Sequence, residues 1–332
     1  MQAIEITAIG DADVLQLRHD YAEPEIATTT QIKVRLRAAG INPIDTKVRS
    51  KALFYNAQPP AIPGCDGAGE IVAIGDAVDR FQVGDSVWFC HGGLGREQGN
   101  YAEYTVLEQN QAELKPASID FTHAAAAPLV LITAWEALFD QGRLQAADNV
   151  LIHAGAGGVG HVAIQLAKQQ GSRVITTVGT EENAEFVRSL GADEVINYHQ
   201  QDVAQQCLAL TENRGIDLCL DTVGGNVFRN SIEAMAPYGR LLTLLDPGTD
   251  LDLSKARLKN LQIAFTLMLT PMLLDLDQAR AHQGEILQKC ATLIAEKKLK
   301  IHVSQSYALA NAAEAHLAIE GGHTRGKLVL KL

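Results

Sequence analysis

The chain contains 332 residues, of which 47% are hydrophobic and 20% charged, and its mean hydropathy is +0.00. This composition excludes a disordered, collagen-like or fibrous chain, and the length predicts about two domains. The 28 Lys and Arg residues against 39 Asp and Glu residues give a formal net charge of −11, which makes nucleic acid or an anionic membrane an unfavourable main partner.

The cysteines and the first residues predict a cytoplasmic protein. Five cysteines are scattered along the chain without a C-x-x-C pair, which favours a reducing compartment over a disulfide framework or a zinc ribbon. The segment after Met1 has neither the basic nor the apolar region of a signal peptide. The longest apolar stretch, residues 263–274, is too short to span a bilayer.

The first third of the chain predicts β-strands. Residues 32–37 alternate apolar and basic side chains, the pattern of a half-buried strand. Two more short strands are predicted at 69–75 and 83–89, where glycines bound short apolar segments.

From about residue 122, helical stretches alternate with short apolar strands. The predicted helices are 122–140, 160–170 and 181–190. The predicted strands are 149–153, 173–177, 194–196, 217–220 and 240–245, with a sixth at 261–269. Such alternation predicts an α/β fold with a doubly wound parallel sheet. A helix near 277–297 and a strand at 327–331 close the chain.

A glycine motif marks the first of these strand–helix junctions. Gly155, Gly157 and Gly160 form G-x-G-x-x-G where the strand 149–153 ends and a helix begins. In this context the motif predicts dinucleotide binding. Gly155 would permit the tight turn, Gly157 would let backbone amides approach a pyrophosphate, and Gly160 would let the helix pack against the strand.

The residues about twenty positions further on bear on the choice of dinucleotide. An NAD-selective site usually carries an acid there, against the ribose 2′-hydroxyl. Here the strand ends in neutral residues from Thr176 to Thr180, which would not repel a 2′-phosphate. Glu181 and Glu182 follow immediately, so the sequence allows NADP to bind but does not require it.

At this point the sequence resembles the medium-chain dehydrogenase/reductase superfamily, in its zinc-independent quinone oxidoreductase branch. The motifs that carry the resemblance lie at 39–45, 63–72, 84–87, 99–104, 133–138, 155–160, 221–225 and 323–329. The resemblance implies a GroES-like β-rich catalytic domain built from both chain ends (1–125 and 263–332), with a Rossmann domain inserted at 126–262. It also implies NADPH bound in the cleft, with NADH as an alternative.

The resemblance assigns cofactor-binding roles to single residues. Tyr198 matches the family tyrosine that contacts the 2′-phosphate ribose, and Asn183 stands where the family often has a lysine for the 2′-phosphate. Asn42 and Thr133 would approach the nicotinamide. The remaining cofactor-binding candidates are Gly155, Gly157, Gly158, Val159, Gly160, Thr177, Gly179, Val223, Leu245 and Arg325.

The zinc ligands of the superfamily have no full counterpart. Matching motif to motif, the ligand positions hold Asn42, Cys65 and Leu129, and a zinc site needs Cys or His side chains there. His91 beside Cys90 reads as a surface loop histidine. We therefore expect no metal.

Without a metal, the substrate must already be electrophilic. A quinone or an α,β-unsaturated carbonyl spreads the incoming negative charge over a conjugated system, so hydrogen-bond donors can suffice. The candidate catalytic residues are Asn42, whose amide could orient a nicotinamide or substrate oxygen, and Tyr55, which would line the cleft as a donor. Alternatively, Asn42 belongs to a turn in which Asp45 is a helix N-cap, and Tyr55 is a packed side chain without a role in catalysis.

The sequence thus predicts an NADPH-dependent reductase of small-molecule quinones or enones. An alcohol dehydrogenase-type enzyme and a dinucleotide-binding protein without turnover remain as alternatives. The alternating segment 260–269 stands at the expected edge of the sheet, where an uncovered strand can pair with another chain. We therefore expect a two-fold homodimer.

Overall fold

The computed structural model describes residues 1–322 and 324–332, so His323 of the C-terminal motif lies outside the described residues. The chain divides into two units. The terminal unit comprises Met1–Leu129, Leu269–Lys297 and Ile301–Leu332, and the central unit comprises Val130–Met268 and Lys298–Lys300. Each main boundary lies a few residues after the predicted one, and Lys298–Lys300 belongs to the central unit instead of the terminal one.

The strands alternate with helices throughout the middle of the chain. In chain order the strands are β1 (Ala3–Ile6), β2 (Leu15–Arg18), β3 (Gln31–Ile41), β4 (Asp66–Ile74), β5 (Ser86–Cys90), β6 (Tyr104–Glu108), β7 (Glu113–Leu114), β8 (Asn149–Ile152), β9 (Arg173–Val178), β10 (Glu194–Asn197), β11 (Ile216–Asp221), β12 (Met235–Thr243), β13 (Gln262–Phe265), β14 (Val303–Ala308) and β15 (Lys327–Lys331).

The helices range from single turns to one long helix near the C-terminus. They are α1 (Pro43–Ser50), α2 (Phe121–Ala125), α3 (Pro128–Trp135), α4 (Gly158–Gln169), α5 (Glu181–Ser189), α6 (Val203–Leu210), α7 (Gly225–Ala234), α8 (Ser254–Leu258), α9 (Thr270–Leu273), α10 (Asp277–Ala295) and α11 (Ala312–Glu320). Short 3₁₀ turns lie at Ala12–Val14, Gln109–Gln111 and Leu309–Asn311, and a π-helical segment at Glu136–Gln141. None of the helices in the described part of the chain combines the length and the apolar character that crossing a bilayer requires.

The terminal unit is built on a seven-stranded, mainly antiparallel sheet. Its order is β14-β15-β3-β4-β5-β7, and β6 also pairs with β3. In β3 the alternate residues Ile32, Val34 and Leu36 are buried in the core, whereas Arg35 between them is exposed. The predicted alternation therefore places one apolar face inward, as expected for a half-buried strand.

The central unit contains the predicted doubly wound sheet. Its six parallel strands have the order β10-β9-β8-β11-β12-β13. The chain moves outward from β8 to β10 and then returns to place β11 on the other side of β8. Ligands of such folds bind at the carboxyl ends of the strands where this order reverses, which here is between β8 and β11.

Two predicted elements differ from the structure. The helix expected over 122–140 is broken into α2, α3 and the π-helical segment. The strand expected over 261–269 is limited to β13, because its neighbour β12 ends at Thr243, opposite Phe265. Beyond that point none of the described strands pairs with this segment, and α9 begins at Thr270.

Candidate functional site

Residues 153–157 join β8 to α4 at the carboxyl end of the central sheet. Gly157 is the N-cap residue of α4, and among the described residues no side chain caps this helix end. The first N–H groups of α4, from Gly158 and Val159 onward, therefore have no intrahelical acceptor. A pyrophosphate fits such an end, because the N–H groups and the helix dipole both favour negative charge.

The tight turn of this loop falls on Ala154 and not, as predicted, on Gly155. Ala154 has a φ of 48° and its N–H donates to Thr177 Oγ1 at 3.0 Å. Gly155 is needed for another reason, since a Cβ there would lie 2.0 Å from Thr176 Oγ1. A Cβ on Gly160 would lie 2.4 Å from the carbonyl oxygen of Ala154, so this glycine lets α4 pack closely on the loop.

The predicted ribose-binding residues lie at the ends of β9 and β10. The hydroxyl of Tyr198 lies 2.6 Å from the position that a Cβ on Gly179 would take, so tyrosine and glycine are in contact. Half of the Tyr198 side chain is exposed. Asn183 lies in the first turn of α5, where its backbone N–H donates to Thr180 Oγ1 at 3.2 Å. Glu181 pairs with an arginine of the same helix, Arg188, at 2.8 Å.

Asp221 shapes the end of β11. Its buried carboxylate accepts the N–H groups of Val223 and Gly224, both at 2.9 Å, and the hydroxyl of Thr243 at 3.0 Å. Val223 is thereby left 44% exposed at the end of the strand. The Cβ of Leu245 lies 3.0 Å from the position of a Cβ on Gly224. Val223 and Leu245, both predicted to bind the cofactor, therefore lie close together.

A cavity of about 600 Å³ lies within the central unit beside these strand ends. Ala154, Thr177, Tyr198 and Val223 line it, together with residues of α6 and α7. The volume is in the range of small-molecule sites. The structure therefore gathers three predicted cofactor-binding residues, Thr177, Tyr198 and Val223, around one cavity at the ends of β9, β10 and β11.

His153 also lines this cavity, as a neutral side chain. Burial lowers its pKa to about 4. The hydroxyl of Ser231 donates to the carbonyl of Val227 at 2.7 Å, so its oxygen accepts from Nε2 of His153 at 2.8 Å. The histidine packs the wall of the cavity and carries no charge near neutral pH.

In the terminal unit, Asn42 is the N-cap residue of α1, and the side chain of Asp45 caps its backbone N–H. Asp45 Oδ2 accepts the N–H of Asn42 at 2.8 Å. Asn42 is the N-cap residue and Asp45 the third helical residue, so the predicted N-cap role of Asp45 is wrong. The helix begins at Pro43 because proline at the first helical position has its φ already set and no N–H to satisfy.

The side chain of Asn42 is fully buried between an anion and a cation. Its nitrogen donates to Asp66 Oδ2 at 2.9 Å, and its oxygen accepts from Nζ of Lys327. Both ends of the amide are therefore used within the protein. A contact between this amide and a nicotinamide or substrate oxygen stays a prediction.

The three positions compared with zinc ligands converge on Asp66. Besides Asn42, the backbone N–H of Leu129 donates to Asp66 Oδ1 at 2.9 Å, and Cys65 precedes Asp66 in the chain. The ammonium of Lys327 lies 3.9 Å from Asp66 Oδ2. A positive charge of the protein itself thus faces this carboxylate.

The groups at these positions do not fit a zinc ion. The amide oxygen of Asn42 is taken by Lys327, and the side chain of Leu129 offers no ligand atom. Cys65 alone of the three residues offers a side-chain atom that zinc favours, and one ligand does not hold the ion. Across residues 1–322 and 324–332, no three His, Cys, Asp or Glu side chains are grouped as a metal site.

Burial shifts the charged groups of this cluster toward their neutral forms. It raises the pKa of Asp45 to about 7, raises that of Asp66 and lowers that of Lys327. The hydroxyl of Tyr101 donates to Asp45 Oδ2 at 3.2 Å. The other carboxylate oxygen of Asp45 is buried and has no hydrogen-bond partner in the described chain. Ionising Asp45 is therefore unfavourable in the folded protein.

Tyr55 lies in a second polar group of the terminal unit, and its hydroxyl is already engaged. The O–H donates to the carbonyl of Met272 at 2.8 Å. The guanidinium of Arg96 lies 4.5 Å from the centre of the ring and forms two hydrogen bonds with Asp275, at 2.8 and 2.5 Å. The predicted role of Tyr55 as a donor toward the cleft is therefore not supported by this geometry.

Sequence reasoning missed Arg280, whose charge acts on Tyr55, and misread its partner His91. Arg280 of α10 donates to Nδ1 of His91 at 3.2 Å. His91 is only 4% exposed, so its reading as a surface histidine is wrong. No sequence signal could have joined the two residues, because 189 positions separate them and neither belongs to a family motif.

Two further predicted residues lie apart from these groups. Thr133 is buried on α3 in the central unit. Arg325 precedes β15 in the terminal unit. Burial lowers the pKa of His302, and the positive charge of Arg325 lowers it further.

Comparisons with known proteins match both units. Residues 28–117 match the family model of the alcohol dehydrogenase GroES-like domain, and residues 190–330 match that of zinc-binding dehydrogenases. A quinone oxidoreductase of Pseudomonas aeruginosa is 35% identical over 334 residues, which cover 98% of each chain.

Solved structures cover the whole chain. An alcohol dehydrogenase superfamily protein from Novosphingobium aromaticivorans superposes with a TM-score of 0.92 at 34% identity, covering 100% of this chain and 99% of that one. The Escherichia coli quinone oxidoreductase complexed with NADPH superposes with a TM-score of 0.88 at 28% identity, covering 100% of both chains.

Proposed function

Because the chain belongs to the medium-chain dehydrogenase/reductase superfamily, in its zinc-independent quinone oxidoreductase branch, we propose that it reduces quinones or α,β-unsaturated carbonyl compounds with NADPH and without a metal. Family membership supports an oxidoreductase that uses a nicotinamide dinucleotide and acts on a small molecule. The acceptor class, the preference for NADPH and the absence of a metal are the finer parts of the proposal.

The central unit offers the site for the dinucleotide. The uncapped start of α4 would bind the pyrophosphate, and the cavity of about 600 Å³ would receive the adenosine half. Gly179 and Tyr198 would face the ribose and its 2′-phosphate. When bound, the reduced nicotinamide supplies the hydride.

The observation that carries the metal-free proposal is the environment of Asp66. In the zinc branch, a metal ion would supply positive charge at the positions of Asn42, Cys65 and Leu129. Here the ammonium of Lys327 faces Asp66 and the amide of Asn42. These residues hold the start of α1 and the end of β4 in place, and none of them offers a Lewis acid to a substrate. A conjugated acceptor fits such a site because it needs less polarisation than a simple ketone.

The proposal is tested by following the oxidation of NADPH and NADH by their absorbance, with quinones, enals and simple ketones as acceptors. We expect turnover with quinones or enals, faster with NADPH, and no effect of a chelator. Activity restricted to alcohols and ketones would instead favour an alcohol dehydrogenase. Dinucleotide binding without turnover on any acceptor would favour a binding protein.

We also propose that two copies associate through the edge strand β13. It is the last strand of the central sheet, and two large apolar side chains stand exposed on it and just after it, Phe265 at 62% and Leu267 at 52%. Pairing of two such edges about a two-fold axis would cover these side chains.

A further inference from the structure

The cavity of the central unit continues from the strand ends along α6 and α7. Val203 and Ala204 line it from α6, and five residues between Val227 and Ala234 line it from α7. Seven positions of a helix rise by about 10 Å, so the cavity follows α7 for two turns. It therefore offers room beyond the strand ends themselves.

Six of the side chains that line this cavity are alanine or valine. They are Ala154, Val203, Ala204, Val223, Val227 and Ala234. A planar heteroaromatic base suits such a wall, because its faces are apolar and its edges carry the hydrogen-bonding groups. In a site of this kind, a small number of polar groups fixes the orientation of the ligand.

Most polar side chains of the cavity are already used within the protein. Thr177 Oγ1 accepts a backbone N–H of the loop after β8 at 3.0 Å. Asp202 caps α6 by accepting a backbone N–H at 2.8 Å, and Glu233 forms an ion pair with a lysine of α8 at 2.6 Å. His153 and Ser231 are bonded to each other at 2.8 Å. Few of these groups are therefore left for a ligand.

Two amides also line the cavity, Gln201 after β10 and Asn230 on α7. The oxygen of Gln201 accepts the N–H of Asn197 at 3.2 Å, so this amide keeps only its own N–H groups for a ligand. The side chain of Asn230 is exposed, and none of the described residues forms a hydrogen bond with it. Asn230 therefore offers an acceptor and a donor side by side.

The face of α7 that carries Asn230 is fixed in place. Val227, Asn230, Ser231 and Ala234 recur at three and four positions, which puts them on one face of the helix. On that face the hydroxyl of Ser231 donates to the carbonyl of Val227 at 2.7 Å and accepts from His153. His153 directly follows β8, so this face is joined to the loop at which the pyrophosphate would bind.

We propose that Asn230 recognises the adenine base of the dinucleotide, with its amide oxygen accepting from the exocyclic amino group and its amide nitrogen donating to the ring nitrogen N7. The inference rests on the function proposed above, in which the cavity receives the adenosine half. An asparagine amide matches this edge of adenine with two hydrogen bonds. Hypoxanthine carries an oxygen in place of the amino group, so the amide oxygen of Asn230 would face a second acceptor and lose its bond.

The test compares the Kd of NADPH with that of reduced nicotinamide hypoxanthine dinucleotide phosphate, by isothermal titration calorimetry. The two cofactors share their phosphates and their nicotinamide, so the ratio of the two Kd values reports the base alone. We expect the wild type to bind NADPH roughly 5- to 150-fold more tightly. Asn230→Leu should bring the ratio to within about twofold of one. Asn230→Gln keeps an amide and should retain part of the preference.

Asn226→Leu is the matched control. It makes the same change one turn earlier on α7, at a position outside the cavity wall in the described chain, and should keep the wild-type ratio. A wild-type ratio near one, an unchanged ratio in Asn230→Leu, or an equal loss in the control overturns the inference while the proposed function stands. If the wild type binds neither cofactor, the proposed function fails and the inference fails with it.

Discussion

The ammonium of Lys327 donates to the side-chain oxygen of Asn42 in the interior of the terminal unit. The two residues are 285 positions apart, and Lys327 is 3% exposed and Asn42 0%. The contact joins the last strand of the chain to the start of α1. It also places a buried cation next to Asp66, at the positions where zinc-dependent relatives would hold their metal.

Removing this cation should destabilise the protein. Lys327→Met leaves the Asp66 carboxylate buried without its ion-pair partner, and breaking a buried pair in this way costs about 3–5 kcal/mol. Urea unfolding measures the loss. Lys331→Met, at the exposed end of the same strand, is the matched control and should change the free energy of unfolding by less than about 0.5 kcal/mol. Equal stability of the two variants would show that Asp66 does not depend on Lys327.

Asp45 should make stability fall as pH rises. Its pKa is about 7 in the folded protein against an ordinary value of 3.8, so the protonated carboxyl stabilises the fold fully below about pH 4. That contribution is lost as pH rises through about 7. Relative to the wild type, Asp45→Asn should therefore gain about 2 kcal/mol of stability between about pH 5.5 and about pH 8, because about 1.5 pH units of that window lie below the folded pKa and each is worth about 1.4 kcal/mol.

Urea unfolding of both proteins at the two pH values checks this prediction. Any packing or hydrogen bonding that the asparagine itself disturbs is disturbed equally at both pH values, so its effect cancels in the comparison. A constant difference between the two proteins would mean that Asp45 is ionised throughout this range.

Alanine at two glycines of the loop should separate binding from folding. A Cβ on Gly157 would meet only the carbonyl oxygen of Ala154, at 3.2 Å, so Gly157→Ala should fold normally. Its methyl group would stand where the pyrophosphate approaches, and NADPH binding should weaken by about tenfold or more, which is about 1.4 kcal/mol.

Gly155→Ala should instead lower stability. Its Cβ would overlap Thr176 Oγ1 at 2.0 Å, and overpacking of this kind costs about 1–3 kcal/mol. Thermal unfolding and fluorescence titration with NADPH measure the two quantities. Normal NADPH affinity in a folded Gly157→Ala protein would show that the pyrophosphate does not bind at this loop.

A lysine at position 183 should strengthen the preference for NADPH. Asn183→Lys would add a charge-assisted hydrogen bond to the 2′-phosphate, worth about 1.5–3 kcal/mol or roughly ten- to a hundredfold in affinity. Binding of NADH should be nearly unchanged, and Asn183→Gln should alter neither cofactor. If titration shows no effect of the lysine on NADPH, Asn183 does not face the 2′-phosphate. An outright preference of the wild type for NADH would show that Glu181 and Glu182 decide the choice.

A charge on the edge strand should break the proposed dimer. Phe265→Glu places a carboxylate on an exposed position of β13, where pairing with a second copy would bury it. Light scattering at micromolar concentration should find a dimer for the wild type and a monomer for the variant. A monomeric wild type would contradict the prediction, whatever the variant does.

The doubly wound parallel sheet could be predicted from the sequence because it depends on local patterns. Short apolar runs, amphipathic helices and the glycine motif at Gly155–Gly160 specify strand–helix–strand units, and right-handed crossovers leave few ways to arrange them. The length of β13 did not follow, since it depends on where the neighbouring strand β12 ends at Thr243.

The surroundings of the candidate site residues could not be read from the sequence either. The sequence suggested Asn42 and Tyr55, but it did not show their partners. The amide of Asn42 binds Lys327 and Asp66, and the hydroxyl of Tyr55 binds the carbonyl of Met272. These partners are distant in the chain, and only the folded sheet brings them together.

The most direct test of the central claim follows the hydride itself. The protein, treated with a chelator, is incubated with trans-2-hexenal and NADPH that carries deuterium at both C4 positions, and the product is analysed by mass spectrometry. The proposed reaction transfers one deuterium to the β-carbon of the enal in the absence of metal. Product without deuterium, or reduction that appears only after zinc is added back, would contradict a metal-free hydride transfer.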